Sequence, residues 1–253
     1  MVATISAIVI TKNEEQRIGA CLTSLNWVDE IVVVDSGSTD QTREICKKNS
    51  KVVFYEQPWE GFGIQKNRAL ERASSEWVIS IDADEIIPAE LAFEIRQTIQ
   101  NPSYDGYTVK RKNFYRNQWI QHSGWWPDKV LRLFRKDKGR FSDRLVHESV
   151  ELNGQRGCLT GFIEHHSYNC VSDFIHKTDS YSHLGARVMF EHGKRTSAGK
   201  AFVRSIITFV KTYLLKGGIL DGTAGILIAV SNAAGVFYRH MKCVELQQDK
   251  NVD

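Results

Sequence analysis

The segment Glu30-Ile-Val-Val-Val-Asp35-Ser-Gly-Ser-Thr-Asp40 decides the fold class, because it joins a β-branched apolar run to a polar turn. A run of this length fits a buried strand and is too short for a helix. Thr39 or Asp40 can cap the helix that carries Ile45. The segment therefore predicts a strand, a turn and a helix in succession.

The same alternation recurs on both sides of this segment. Further strands are predicted over 5–10, 51–55 and 77–81, and further helices over 14–25 and 63–73. Strands separated by helices form βαβ units in a mainly parallel sheet, which binds ligands at the carboxyl ends of its strands. After Gly106 the pattern changes to strand-like pieces at 107–110 and 130–134, and helical spacing returns over 171–192 and 200–216.

Acidic side chains follow three of the predicted strands, in Thr11-Lys-Asn-Glu14, in Asp35–Asp40 and in Asp82-Ala-Asp84. Carboxylates that converge on one sheet edge repel one another unless a cation or a donor-rich ligand separates them. The Asp82 and Asp84 pair can place one carboxylate on a hard divalent ion and the other on a sugar. Each acid taken singly also fits a turn former or a helix cap.

Four ordered motifs give this half of the chain a family resemblance. They are Ile8-Val-Ile-Thr-Lys-Asn-Glu14, Val33-Val-Asp-Ser-Gly-Ser-Thr-Asp40, Gln65-Lys-Asn67 and Ile81-Asp-Ala-Asp84. The sequence resembles the family 2 inverting glycosyltransferases with the GT-A fold. The resemblance implies an α/β chain with a Rossmann-like mixed sheet and a helical C-terminal appendage. We expect a catalytic domain over 1–170, with a donor half at 1–100 and an acceptor half at 101–170, and a helical region over 171–253.

The resemblance also implies which residues hold a nucleotide-sugar donor. Glu14 and Asp35 would contact uridine, and Lys66 would lie near the diphosphate. The complete expected set of donor-binding residues is Thr11, Asn13, Glu14, Asp35, Gly37, Lys66, Asp82 and Ala83. A divalent cation, Mg²⁺ or Mn²⁺, is expected on Asp84, Asp82 and His165.

Motifs in the second half resemble a narrower branch, the bacterial lipopolysaccharide-core β-1,4-glucosyltransferases. These motifs are Gly124–Arg135, Val146-His-Glu148, Ile163–Tyr168 and Gly217-Gly-Ile-Leu-Asp-Gly222. The branch implies inverting transfer of glucose from UDP-glucose to a heptose of the lipopolysaccharide inner core. Two alternatives stay open: a related transferase for capsule, exopolysaccharide or a lipid-linked glycan, and a catalytically silent nucleotide-sugar-binding protein.

An inverting transfer needs a base that takes the proton of the acceptor hydroxyl. Glu148 is the favoured candidate, because Val146-His-Glu148 occupies the place where related enzymes carry their catalytic acid. This sequence lacks the Glu-Asp form of that motif, so Asp128 and Asp143 remain alternatives.

The net charge of +3 is unevenly distributed, since residues 1–100 carry 10 basic and 16 acidic side chains. The excess of positive charge therefore lies in the second half, which predicts an anionic partner there. Trp125 and Trp126 can stack on a sugar, and the cations Lys129, Arg132 and Arg135 can grip its phosphates. Both Trp side chains fit a packed core equally well. Nucleic acid is a poor partner, because no nucleic-acid-binding motif is present.

An apolar stripe over 202–216, flanked by Arg204, Lys211 and Lys216, predicts a basic amphipathic helix on an anionic membrane surface. It could instead pack on the catalytic domain. No run of about 18 uninterrupted apolar residues occurs, so we expect no conventional membrane-spanning helix. The 5 Cys form no CxxC pair, which favours a reducing compartment. The predicted location is therefore cytoplasmic, peripheral on the inner face of the bacterial cytoplasmic membrane.

Overall fold

The computed structural model describes residues 2–142 and 149–249 of the chain. The chain divides into two units, each of which is continuous in space although not in sequence. One unit takes Met1–Arg111 and Asp128–His165, and the other takes Lys112–Pro127 and His166–Asp253.

The first unit opens with alternating strands and helices, as the sequence predicts. The strands are β1 (Ile5–Thr11), β2 (Glu30–Asp35), β3 (Val52–Glu56) and β4 (Trp77–Asp82), and the helices between them are α1 (Ile18–Ser24), α2 (Thr42–Lys47) and α3 (Phe62–Arg72). A short strand β5 (Glu85–Ile86) and helix α4 (Ala89–Gln100) follow. The remaining strands are β6 (Gly106–Tyr115), β7 (Gln118–Trp119), β8 (Asp128–Arg135), β9 (Gly139–Phe141), β10 (Val150–Leu152) and β11 (Arg156–Tyr168).

The main sheet has the strand order β3-β2-β1-β4-β8-β6-β11-β5, with β7 paired to the end of β6. Strand β1 lies between β2 and β4 and is parallel to both. Strand β8 is antiparallel to β4, so the sheet is mixed. Strands β9 and β10 form a separate two-stranded sheet.

Apolar side chains cover both faces of the parallel strands, which is typical of βαβ folds. On one face, Ile18 and Leu22 of α1 and Leu91 and Ile95 of α4 pack against Val9 and its neighbours. On the other face, Ala69 and Leu70 of α3 pack against Ile8, Val32 and Val78. Strands β1, β2 and β4 are therefore buried on both sides, whereas the edge strand β3 is partly exposed.

The second unit is mostly helical. Its helices are α5 (Val171–Glu191), α6 (Ala198–Val210), a π-helical turn (Lys211–Leu215), a 3-10 turn (Gly218–Asp221) and α7 (Gly222–Asp249). Ile120, Phe174, Ala224 and Ile228 form its core. The predicted helix over 200–216 is thus divided, because α6 ends at Val210.

One stretch, Gly218–Asp249, is long and apolar enough to cross a membrane by length and composition. The sequence pattern predicts no spanning helix, because Asn232 interrupts the apolar run. Core helices of soluble proteins meet the same criteria, and 28% of the most apolar part of this stretch is buried inside the protein. Its length and composition therefore fit a membrane span and a packed helix alike.

Residues 112–127 belong to the second unit, whereas the sequence pattern places them in the acceptor half of the catalytic domain. The physical reason is a set of hydrogen bonds to Asp221, whose side-chain and main-chain oxygens bind Gln118, Gln121, His122 and Ser123. The segment therefore folds with the C-terminal helices.

Candidate functional site

Three strand ends meet at one edge of the parallel sheet. Thr11 at the end of β1 lies opposite Asp35 at the end of β2, and Ile10 lies opposite Asp82 at the end of β4. This register confirms that the three acidic loops lie together. A ligand at this edge would meet the carboxyl ends of all three strands, where open α/β sheets bind their ligands.

The loops after β1 and β2 are tied to each other by side-chain hydrogen bonds. The main-chain N–H of Asn13 donates to Ser38 Oγ at 2.8 Å, and Asn13 Oδ1 accepts from the N–H of Thr39 at 2.8 Å. The N–H of Glu14 donates to Thr42 Oγ1 at 2.8 Å. The two loops therefore form one preorganised wall, and helix α1 begins only at Ile18 because the preceding residues serve this contact.

The carboxylate of Asp35 closes its own turn. Its oxygens accept hydrogen bonds from the N–H groups of Gly37 and Ser38 and from the Ser38 hydroxyl. Gly37 has a φ of 81° and open space where a side chain would stand. The turn thus presents bare backbone at the sheet edge, while the predicted contact of Asp35 with uridine would need its carboxylate to exchange partners.

Two cations flank the Asp82 carboxylate. Lys66 Nζ lies 3.0 Å from Asp82 Oδ1, and Arg132 Nη2 lies 2.6 Å from Asp82 Oδ2. Although desolvation opposes it, the charges of Arg132 and Lys66 hold the pKa of Asp82 well below its usual range. Asp82 is therefore fixed as an anion, and each of its two oxygens already faces a cation.

A second carboxylate, that of the fully buried Glu85, also pairs with Arg132. Glu85 Oε1 accepts from Arg132 Nη2 at 2.5 Å and from Arg111 Nη1 at 3.2 Å, and Glu85 Oε2 accepts from the N–H of Asp82 at 3.0 Å. Arg111 continues the chain of charges to Asp128 at 2.7 Å. Neither Glu85 nor Arg111 is among the site residues predicted from the sequence. Glu85 directly follows Asp84, and Arg111 directly follows the predicted strand piece at 107–110, so both could have been considered.

Asp84 lies beside His165, with 3.4 Å between Asp84 Oδ1 and His165 Nε2. The pairing of β11 with β5 brings them together, because His165 lies opposite Glu85 in that ladder. Ala83 between the two acids is buried. Among residues 2–142 and 149–249, no three His, Cys, Asp or Glu side chains form a complete metal-binding cluster. The Asp84 carboxylate and the His165 imidazole thus lie side by side at this edge.

Comparison with known proteins identifies the family of the chain. The model of the family described as glycosyl transferase family 2 matches residues 6–153. The lipopolysaccharide core biosynthesis glycosyltransferase LpsC of Rhizobium meliloti is 32% identical over 98% of this chain and 96% of its own length. An uncharacterised glycosyltransferase of Rickettsia typhi is 31% identical over 98% of this chain and 89% of its own.

The chain belongs to glycosyl transferase family 2.

Solved structures show the same fold for this family 2 chain. The crystal structure of S. aureus TarS (residues 1–349) superposes with a TM-score of 0.50 at 20% identity, covering 97% of this chain and 92% of TarS. This likeness, with the family match, confirms the predicted GT-A fold. The family match and the similarity to LpsC show that the protein is a glycosyltransferase.

The candidate bases of this family 2 enzyme fall in two places. Glu148 and Asp143 lie outside the described residues. Asp128 lies at the start of β8, where Arg111 donates two hydrogen bonds to its carboxylate at 2.9 and 2.7 Å. Both contacts reach Asp128 Oδ2, so this carboxylate is already engaged by Arg111.

The three predicted acceptor-binding cations lie in different surroundings. Arg132 is buried between Asp82 and Glu85, so it belongs to the acidic loop rather than to an acceptor surface. Arg135 lies opposite Trp77 at the amino end of β4, away from the Asp82 edge, and pairs with Glu76. Lys129 alone of the three is exposed.

The two predicted acceptor tryptophans belong to the second unit and differ in packing. Trp125 lies against Tyr168 and Phe174, which gives it a packing role next to the core of that unit. Trp126 meets Trp119 edge to face, with ring centroids 5.2 Å apart. Trp126 is therefore the better candidate for stacking on a sugar.

Proposed function

We propose that this glycosyltransferase transfers glucose from UDP-glucose, with inversion, to a heptose of the lipopolysaccharide inner core. The observation that carries the proposal is the near full-length similarity to LpsC, which is named as a lipopolysaccharide core biosynthesis glycosyltransferase. The wall of Asn13, Ser38 and Thr39 and the charged Asp82 loop supply the matching donor site.

The sheet edge fits a nucleotide-sugar donor for three physical reasons. Thr11 Oγ1 is buried and has no hydrogen-bond partner among the described residues, so a ligand group there would satisfy it. The open side of Gly37 lets a ribose or base approach the backbone. Lys66 lies next to Asp82 at this edge, where a diphosphate that reached its ammonium group would gain a charge-assisted hydrogen bond. TarS, which shares the fold, has also been solved in complex with UDP.

Asp84 and His165 are the residues that fit a divalent cation. Mg²⁺ uses one or two carboxylates and completes its shell with water and phosphate oxygens, so a two-residue site suffices when a diphosphate is present. Asp82 instead serves the donor sugar, because its carboxylate is already neutralised by Lys66 and Arg132. When bound, the cation would supply charge stabilisation for the departing diphosphate.

Glu148 remains the proposed base. Its support is the position of Val146-His-Glu148 in the sequence together with the engagement of Asp128 by Arg111. A carboxylate in this role takes the proton of the heptose hydroxyl as that oxygen attacks the anomeric carbon.

The proposed acceptor is a phosphorylated glycolipid at the cytoplasmic face of the membrane. Trp126, which meets Trp119 edge to face, supplies an aromatic face for a sugar. The basic second half of the chain draws the enzyme to anionic lipid. We therefore place it peripherally on the inner leaflet of the cytoplasmic membrane.

The test compares the parent protein with Asp84→Asn and with Asp137→Asn, a matched surface control. Titration calorimetry with UDP and Mn²⁺ should show binding by the parent, and UDP-glucose hydrolysis should be measurable. Asp84→Asn should lose hydrolysis by about a thousandfold, because one ligand contributes several kcal/mol of leaving-group stabilisation. Asp137→Asn should behave like the parent. Near-normal turnover in folded Asp84→Asn protein would contradict the metal assignment, and UDP binding without any turnover would favour a silent binder.

A further inference from the structure

The turn that joins α6 to α7 exposes large aliphatic side chains. We define the helical turn as residues 211–221, which includes the π-helical and 3-10 turns. Leu215 is 80% exposed and Leu220 is 71% exposed, and Leu214 and Ile219 are more than half exposed. Side chains of this size at the tip of a helical hairpin form an apolar patch, and such patches mark interaction surfaces.

Positive charge surrounds this patch. Residues 192–220 contain no Asp or Glu, and their six cations are Lys194, Arg195, Lys200, Arg204, Lys211 and Lys216. All six are exposed, and none forms an ion pair within residues 2–142 and 149–249. Exposed Phe202, Val203, Ile206 and Ile207 continue the apolar character along α6.

The combination of apolar and basic side chains identifies the kind of partner. A second copy of the chain would bring the same positive charges to the contact, and like charges would oppose it. An anionic lipid leaflet attracts Lys and Arg at its surface and takes up aliphatic side chains just below. The helical turn therefore fits a lipid surface better than it fits itself.

Asp221 fastens the helical turn to the loop that carries Trp126. Its carboxylate accepts from the N–H groups of Gln121 and His122 at 3.2 Å each and from Ser123 Oγ at 2.7 Å. The N–H of Ser123 also donates to the carbonyl of Lys216 at 2.9 Å. Because Asp221 is buried, these bonds are shielded from competing water.

Gly225 lets helix α7 pack closely against the helical turn. A Cβ at this position would lie 1.7 Å from the carbonyl oxygen of Gly218, so only glycine lets α7 pass this closely. Gly217 has a φ of 67°, the left-handed conformation that reverses the chain. The helical turn therefore packs closely against the start of α7, and the hydrogen bonds of Asp221 join it to the loop over 118–124.

We propose that the helical turn docks on an anionic lipid leaflet, inserting Leu214, Leu215, Ile219 and Leu220, and that Asp221 thereby holds Trp126 at the lipid surface. The proposal rests on the proposed function in that the acceptor is membrane-borne. It adds the docking element and the mechanical link between that element and a sugar-stacking side chain.

Vesicle flotation tests the docking. The parent protein should float with phosphatidylglycerol vesicles and not with phosphatidylcholine vesicles. The variant Leu215→Glu/Leu220→Glu should lose flotation by about tenfold or more, because it places two charges in the apolar layer. Arg204→Gln/Lys211→Gln/Lys216→Gln should lose the part of binding that high salt removes. Phe93→Glu, at a 67% exposed apolar position on α4, is the matched control and should float like the parent.

Quenching of tryptophan fluorescence by lipid tests whether Asp221 holds Trp126 at the lipid surface. Brominated phosphatidylglycerol should quench a part of the tryptophan fluorescence that Trp126→Phe removes. Asp221→Asn should weaken this quenching while flotation persists, and the milder Ser123→Ala should do so to a smaller extent.

Three results would overturn the proposal. They are flotation of Leu215→Glu/Leu220→Glu at the parent level, equal loss in Phe93→Glu, and a dimer in solution that the leucine variant dissociates. UDP-glucose hydrolysis needs no membrane, so its absence would refute the proposed function separately. The leucine variant should keep it.

Discussion

Asp82 lies between Lys66 and Arg132, and Arg132 also holds the fully buried Glu85. Removing one partner of a buried ion pair leaves an uncompensated charge, which costs on the order of 3–5 kcal/mol. Arg132→Met should therefore lower the free energy of unfolding by about that amount. Arg111→Met should cost less, because Arg111 is partly exposed and Glu85 keeps Arg132. Urea denaturation of both variants at neutral pH measures the difference.

The dependence of the free energy of unfolding on pH tests the same ion pair. Because the pKa of Asp82 is lower in the folded protein than its ordinary value of 3.8, its stabilising contribution is complete above that pH. The contribution is lost as the pH falls through the lower folded-state pKa. In Arg132→Met the folded-state pKa should rise, so the slope of stability against pH below 3.8 should flatten. Equal stability and equal slopes in the parent and both variants would contradict the role given to Arg132.

At the scale of single residues, the acids were predictable because they follow strands, and Lys66 was named because it lies in the family motif Gln65-Lys-Asn67. The sequence analysis placed Arg132 in the acceptor set, whereas the structure pairs Arg132 with Asp82 and Glu85. The reason is that the partner of Arg132 is fixed by the antiparallel pairing of β8 with β4, two strands far apart in the chain. Local patterns carry no information on that register. The same holds for the distance between His165 and Asp84, which depends on β11 lying beside β5.

At the scale of elements, the parallel strands were predictable because each is a short apolar run followed by a polar turn. Helix α4 was not predicted, and the 13-residue strand β11 was indicated only in part, by a motif near its end. The long helix α7 also contains small residues whose purpose is visible only in the structure. Gly225 is the clearest of these, since the chain reversal before α7 requires it.

The close approach of α7 to the Gly218 carbonyl at Gly225 gives a testable prediction. Gly225→Val should destabilise the second unit by about 1–3 kcal/mol, because its side chain would overlap the Gly218 carbonyl. Gly199→Ala in α6 is the control, because a Cβ there meets open space. It should be neutral or stabilising by about 0.5–1 kcal/mol. Hydrogen exchange of the α7 amides in the two variants measures the loss of protection in this helix. Unchanged protection in Gly225→Val would contradict the close packing.

At the scale of the whole molecule, the chain combines an acidic donor half with a basic remainder. The sheet edge binds the nucleotide-sugar in our proposal, and the basic remainder meets the anionic glycolipid and its membrane. The charge counts predict an anionic partner for the second half of the chain, because they do not depend on the fold. The grouping of residues 112–127 with the C-terminal helices could not be predicted, because it depends on the burial of Asp221.

Mass spectrometry of the lipopolysaccharide core tests the central claim most directly. A deletion strain of the source bacterium is compared with the same strain carrying the parent gene or Glu148→Gln. Glu148→Gln keeps the shape of the side chain and removes the proton acceptor. We predict that the deleted strain lacks one hexose on its inner-core heptose, that the parent gene restores it, and that Glu148→Gln does not. An unchanged core mass in the deletion strain would contradict the proposed function.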